Sequence, residues 1–161
     1  MASTHMIETM HFVKGLDPVA DAFGLPSPTV TSDVVSMEEN QDCLFVIYTG
    51  LGATGTSTVT VEACDNFTPS TTSAIAFHYR EILSGDTVGT ITKATSAGYV
   101  TTAGSSKIIL VEVSSEDLAA SGYPNVRLKM VESADSPVLG GILIIQGARR
   151  YGKAAQATSI A

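Results

Sequence analysis

From Val30 onward the apolar residues of this chain recur with a period of two, the spacing of a strand that buries one face. Val59, Val61 and Ala63 fall on one side of Thr58–Cys64, with Thr58, Thr60 and Glu62 on the other. Ile75, Phe77 and Tyr79 alternate with Ala76, His78 and Arg80. Ile109, Val111 and Val113 share a face of 107–113, and Val126, Leu128 and Met130 turn inward against Arg127 and Lys129. Two stretches break the alternation by being apolar throughout. Cys43–Tyr48 (CLFVIY) predicts a strand buried on both faces, and Val138–Ile145 (VLGGILII) a strand central in the sandwich or buried against another subunit. Val30–Glu38 predicts a weak strand, and the Thr-rich 87–95 an edge.

This amounts to about eight strands with Gly- and Ser-rich turns at 50–55, 84–86 and 103–105. The count predicts an all-β fold: an antiparallel β-sandwich, first of all a jelly roll. An immunoglobulin-like sandwich is the second choice, disfavoured because the chain has no Trp. One short helix is expected at Ser114–Ser121. Ser114 can cap it, Glu116 and Asp117 suit its positive end, and Gly122 suits its stop.

Residues 1–28 predict an N-terminal arm, because Asp17-Pro18, Gly24, Pro26 and Pro28 interrupt regular structure. Residues 29–147 make the sandwich domain, and 148–161 a basic C-terminal tail. The arm still holds Phe12, Leu16 and Phe23, so part of it should dock on its own domain or on a neighbour.

The 161 residues fit one domain with extended ends, and 44% apolar content supplies a core. The net charge of -7 lies in the first half, where nine acids face Lys14 and Arg80; residues 81–161 hold seven of each sign. Nucleic-acid binding needs clustered cations, and only Arg149, Arg150 and Lys153 cluster here. No run approaches the ~18 apolar residues of a membrane helix, and His5, Glu8 and His11 interrupt any signal-peptide pattern.

Each candidate for chemistry has a plainer explanation. Gly50-Leu51-Gly52-Ala53-Thr54-Gly55 has the G-x-G-x-x-G spacing, but the residues after it alternate as a strand, so no helix end awaits a pyrophosphate. His78 and Arg80 share a strand face beside Glu81, yet no nucleophile in a strained turn accompanies them. Asp65 with Asn66, and Asp33 with Glu38, Glu39 and Asp42, lack the tight spacing of a calcium loop. Cys43 and Cys64 do not make a metal set, and two reduced core thiols are expected. The tyrosines at 48, 79, 99, 123 and 151 suit packing better than a carbohydrate groove. Asn66-Phe67-Thr68 is a glycosylation sequon only in a eukaryotic secretory setting. The residues therefore predict no catalytic group, no metal and no cofactor.

Four stretches carry a resemblance: VTVEACDNFTPSTTSAIAFHYREILSGDTVG (59–89), TTAGSSKIILVEV (101–113), LAASGYPNVRLKM (118–130) and SPVLGGILIIQGARRY (136–151). Their texture resembles that of small tailed-bacteriophage capsid decoration or cement proteins. The resemblance implies a non-enzymatic virion protein on the capsid surface. It would bind the major capsid protein, associate with itself on the shell, and touch neither nucleic acid nor membrane. Phe12, Leu16 and Phe23 in the arm, with Arg149, Arg150, Tyr151 and Lys153 in the tail, are then the capsid-contact candidates. The basic tail could pair with an acidic shell. A host-surface or carbohydrate-binding module is the alternative, and the 6% aromatic content speaks against it.

Overall fold

The computed structural model describes residues 5–20, 29–52, 54–83 and 85–149, with 148 and 149 described by their backbone alone. Among them are thirteen strand segments and two short helices, α1 (Met6–Thr9) and α2 (Ser115–Ala119). The strands form two antiparallel sheets packed face to face, an all-β sandwich. The seven-stranded sheet runs β1 (His11–Val19), β13 (Gly140–Arg149), β4 (Asn40–Thr49), β11 (Ile108–Ser114), β7 (Phe77–Leu83), β8 (Thr87–Val88), with β9 (Thr92–Ala94) also on β7. The six-stranded sheet runs β10 (Tyr99–Val100), β5 (Thr56–Cys64), β12 (Asn125–Ala134), β2 (Thr29–Thr31); β3 (Val35–Ser36) joins β12 and β6 (Thr72–Ile75) joins β5.

The pairing is nested. The first strand, β1, pairs with the last, β13. β2 and β3 pair with β12, β4 with β11, and β5 with β6 and β10. That is one long antiparallel hairpin wrapped round a core, the arrangement of a jelly roll. The strands counted from sequence as about eight become thirteen because several long segments change sheet or break. Ala76 is such a corner: Ile75 is buried in β6 of one sheet and Phe77 in β7 of the other.

The core follows the period of two. Cys43, Phe45 and Ile47 of β4, Ile142 and Ile144 of β13, and Ile109, Val111 and Val113 of β11 meet Val59, Val61, Ala63, Val126, Leu128 and Met130 from the facing sheet. Helix α2 closes one end with Leu118. Its cap is the expected one: the Ser114 hydroxyl accepts the Asp117 N–H at 3.3 Å, and the Asp117 carboxylate accepts the Ser114 N–H at 3.0 Å. Gln146 points inward at 1% exposure and is satisfied there, its Nε2 donating to the Ser36 carbonyl at 2.7 Å.

Two boundaries differ from expectation. The arm is not free of regular structure: His11–Val19 is an edge strand of the seven-stranded sheet, with Val13 buried. Asp17-Pro18 does not end it but causes a bulge, since an edge strand tolerates a missing N–H on its open side. The sandwich thus begins at His11 instead of residue 29. At the other end β13 runs on to Arg149, paired with Asn40, so the last strand enters what read as tail.

Candidate functional site

The two sheets differ on their outer faces. On the six-stranded sheet that face is mainly polar: Thr58 and Thr60 lie on β5 beside Glu62, and Arg127 and Lys129 on β12, with Val100 and Val131 beside Thr58 as the apolar exceptions. Arg127 donates twice to Glu62 Oε2, from Nε at 2.8 Å and Nη2 at 2.7 Å, and Lys129 Nζ donates to Oε1 at 3.1 Å. Burial alone would raise the Glu62 carboxyl. The hydrogen bonds and charges of Arg127 and Lys129 outweigh it and hold the group below the usual carboxylate range. This is how an antiparallel sheet ordinarily meets water.

The outer face of the seven-stranded sheet is apolar. Its registry sets three rows across the strands. Phe12, Ile145 and Leu44 lie side by side, then Leu143, Val46 and Leu110, then Gly141, Tyr48, Ile108 and Ile82. Tyr48 stands 62% exposed, Phe12 45% and Leu143 40%. CLFVIY and GGILII are therefore apolar on both sides, but only one side is covered within the sandwich. A strand in the middle of a two-layer sandwich has just one buried face, which is the physical reason the expectation of two covered faces does not hold within this chain.

A groove of about 630 Å³ runs across this face, between the β1 bulge (Leu16, Asp17, Pro18) and a wall of Tyr48 and Leu139. Gly141 makes it possible. A Cβ there would lie 3.0 Å from the Leu16 carbonyl oxygen and 3.0 Å from Pro18 Cγ, so any side chain would push the bulge away from β13. At the far side His78, Arg80 and Glu112 border a smaller depression with Leu44, Leu110 and Ile91. The charges of the face are few. Lys14 and Asp17 pair with each other at 3.0 Å, Arg80 and Glu112 add one of each sign, and Lys93 opposite His78 and Asp42 opposite Gly147 add another of each at the margins.

Of the seven contact candidates, the structure places two on this face. Phe12 lies opposite Ile145, and Leu16, opposite the inward Ile142 and packed partly on the core, lines the groove's edge. Arg149 ends β13, with only its backbone described. Phe23, Arg150, Tyr151 and Lys153 lie outside the described residues. The contact candidates did not include Val46, Tyr48, Ile108, Leu110 and Leu143. Their signal was the absence of alternation in CLFVIY and GGILII, which announces a second apolar face without saying what covers it.

The other candidates take structural roles. Gly50–Gly55 joins β4 to β5, and a Cβ on Gly55 would come within 2.5 Å of the Ser136 carbonyl oxygen, so the loop lies tight against 136–139. His78 and Arg80 do share a face, while Glu81 turns the opposite way. Glu81 accepts the Thr102 N–H at 3.0 Å and lies 3.9 Å from the buried Lys107 ammonium. Cys43 and Cys64 are free and buried; burial pushes both thiols up, that of Cys64 to about 11. Tyr79, Tyr99 and Tyr123 pack on the core. Among the described residues no group of three or more His, Cys, Asp or Glu could hold a metal ion, and no helix is long and apolar enough to cross a membrane. No family model, curated protein or solved structure matches the chain.

Proposed function

We propose that this protein is a structural virion protein of the cement or decoration kind. It binds the outside of a bacteriophage capsid and stabilises contacts between major capsid subunits. The observation that carries the reading is the unequal pair of outer faces. One sheet is finished for water with threonines and an ion-pair network, and the other presents apolar rows around a groove. A surface of that kind marks a site of protein contact. A rigid β module with one such face suits work done by covering surface and not by transforming a substrate. The resemblance of 59–89, 101–113, 118–130 and 136–151 to capsid cement proteins supports the same reading and supplies the partner, the major capsid protein.

The test is sedimentation of purified protein with intact phage particles and, separately, with host cell envelopes. Saturable recovery with particles, at a fixed number of copies per shell, is the expected result. Recovery with envelopes alone would favour the host-surface alternative, and recovery with neither would refute both.

A further inference from the structure

We infer that the Glu81 carboxyl and the Lys107 amine condense in the folded protein, joining β7 to the start of β11 by an amide bond. The placement comes from registry. Glu81 lies opposite Ile109, and Lys107 stands two residues before Ile109, so both side chains continue the inward rows of their strands. Phe77 and Tyr79 precede Glu81 on one row, and Ile109, Val111 and Val113 follow Lys107 on the other. An acid and an amine thus take positions that the pattern gives to apolar residues. Their side chains are 10% and 5% exposed, and Lys107 is the one buried lysine or arginine among the described residues. Two ions are costly to desolvate in such a place. Proton transfer between them gives a neutral acid and a neutral amine, the forms that condense. Burial draws the Lys107 ammonium below its usual range, with Glu81 opposing.

Thr102 arranges the reacting atoms. Its N–H donates to Glu81 Oε1 at 3.0 Å, and its hydroxyl donates to Oε2. Lys107 Nζ donates to the Thr102 carbonyl and, at 3.2 Å, to the same hydroxyl. The hydroxyl therefore bridges Nζ and Oε2, which lie 3.9 Å apart. Thr102 is itself held in place. The Thr101 N–H donates to the Ser57 carbonyl at 2.9 Å, the Ser57 N–H to the Thr101 hydroxyl at 3.0 Å, and the Ser106 N–H to the Gly50 carbonyl at 2.7 Å. Ser106 accepts a left-handed φ of 55° within this loop, a strain that the surrounding bonds must maintain. Nζ adds to the Glu81 carboxyl carbon, at the ~3–3.5 Å of a near-attack contact, by turning the last torsions of the lysine. The Thr102 N–H stabilises charge developing on Oε1, and its hydroxyl passes protons from nitrogen to Oε2. The carbon–Oε2 bond breaks and Oε2 leaves as water. Two of the three ammonium protons depart in that water and one stays on the amide nitrogen, with nothing oxidised or reduced. The amide keeps both backbone contacts, its oxygen accepting the Thr102 N–H and its own N–H donating to the Thr102 carbonyl.

The cross-link goes beyond the proposed function and does not depend on it, since it is tested on the isolated full chain. The intact mass of wild-type protein, held folded and then denatured, should fall one water short of the mass its sequence requires. Proteolysis should release the Glu81 and Lys107 peptides as a single branched species. Lys107→Met and Glu81→Ala should each show the full mass of their own sequence. Thr102→Val keeps the pair and removes the relay, so its link should form roughly 10-fold more slowly or worse. Thermal melting shows which variants fold, and the wild-type mass and peptide map decide the matter even where a variant does not. A wild-type protein that keeps its full sequence mass after prolonged incubation would overturn the proposal. So would a lost water with the Glu81 and Lys107 peptides still separate, as a succinimide elsewhere in the chain would give.

Discussion

The rings of Tyr79 and Tyr99 stack with centroids 3.6 Å apart and planes within 11° of parallel, and they come from opposite sheets, β7 and β10. Phe77 lies 6.3 Å from each, so three aromatic rings tie the sheets together at one end of the sandwich. The Tyr99 hydroxyl is buried and meets no hydrogen-bond partner among the described residues. Burial first, then the nearby Glu81 and Tyr79, pushes its ionisation well above the ordinary range. Tyr99→Phe should therefore change unfolding free energy by less than about 1 kcal/mol, and in the stabilising direction. Tyr99→Ala should cost about 3–5 kcal/mol through lost packing. Denaturant melts of both would decide, and a loss above about 2 kcal/mol for Tyr99→Phe would mean the hydroxyl is bonded.

Ile144 and Leu143 are neighbours on β13 with opposite fates. Ile144 is fully buried between the sheets, and Leu143 is 40% exposed on the outer face. Ile144→Asp should abolish soluble folding, because an unpaired carboxylate would be buried. Leu143→Asp should fold, with a loss within roughly 1 kcal/mol. Soluble yield and melting temperature give the comparison; equal damage at both positions would contradict the inside-outside assignment of β13.

Deleting residues 1–19 removes β1 and opens the edge of β13. Read as a loose arm, that segment should be dispensable. As a paired strand with Val13 in the core, its loss should lower the melting temperature by about 5 °C or more. It should also promote aggregation, since β13 becomes an apolar, unpaired edge. An unchanged melting curve would mean that β1 adds little to the sheet.

The Glu62 carboxyl is held below the usual range in the folded protein. Its ion pairs with Arg127 and Lys129 therefore contribute fully above the unfolded carboxylate pKa of ~4.3. That contribution falls away as pH drops below this value and through the folded pKa. Glu62→Gln should be less stable than the wild type at neutral pH by about 1–3 kcal/mol. The gap should narrow as pH falls from about 5 to 3. Parallel stability curves across that range would show that the pairs carry no pH-dependent stability.

The two-layer sandwich was legible because alternation fixes which residues face inward. Val59, Val61 and Ala63, and likewise Ile109, Val111 and Val113, occupy the core positions expected of them. The short helix was legible from its capping residues at Ser114 and Asp117. The strand inside the arm was not, because pairing with β13 is a tertiary effect: Gly15, Asp17 and Pro18 are poor strand formers held by a neighbour. The apolar outer face was half legible. Two runs without alternation demanded cover on both sides, but only the registry of β13 against β4 shows that they lie together and form one surface. The groove depends on Gly141 receiving the Leu16–Pro18 bulge, a contact between positions more than a hundred residues apart that local pattern cannot express.

The nested pairing has a mechanical consequence. His11 opens β1 opposite Gln146, and the described part of β13 runs only three residues further, to Arg149. The start of β1 and the described end of β13 therefore lie at the same end of one antiparallel ladder. Tension drawn between its two ends would load the hydrogen bonds of that ladder one after another, as a zipper opens, and not all together in shear. Loaded in that direction, the ladder yields one pair at a time. Any strain it bears in an assembly is best carried through a broad face.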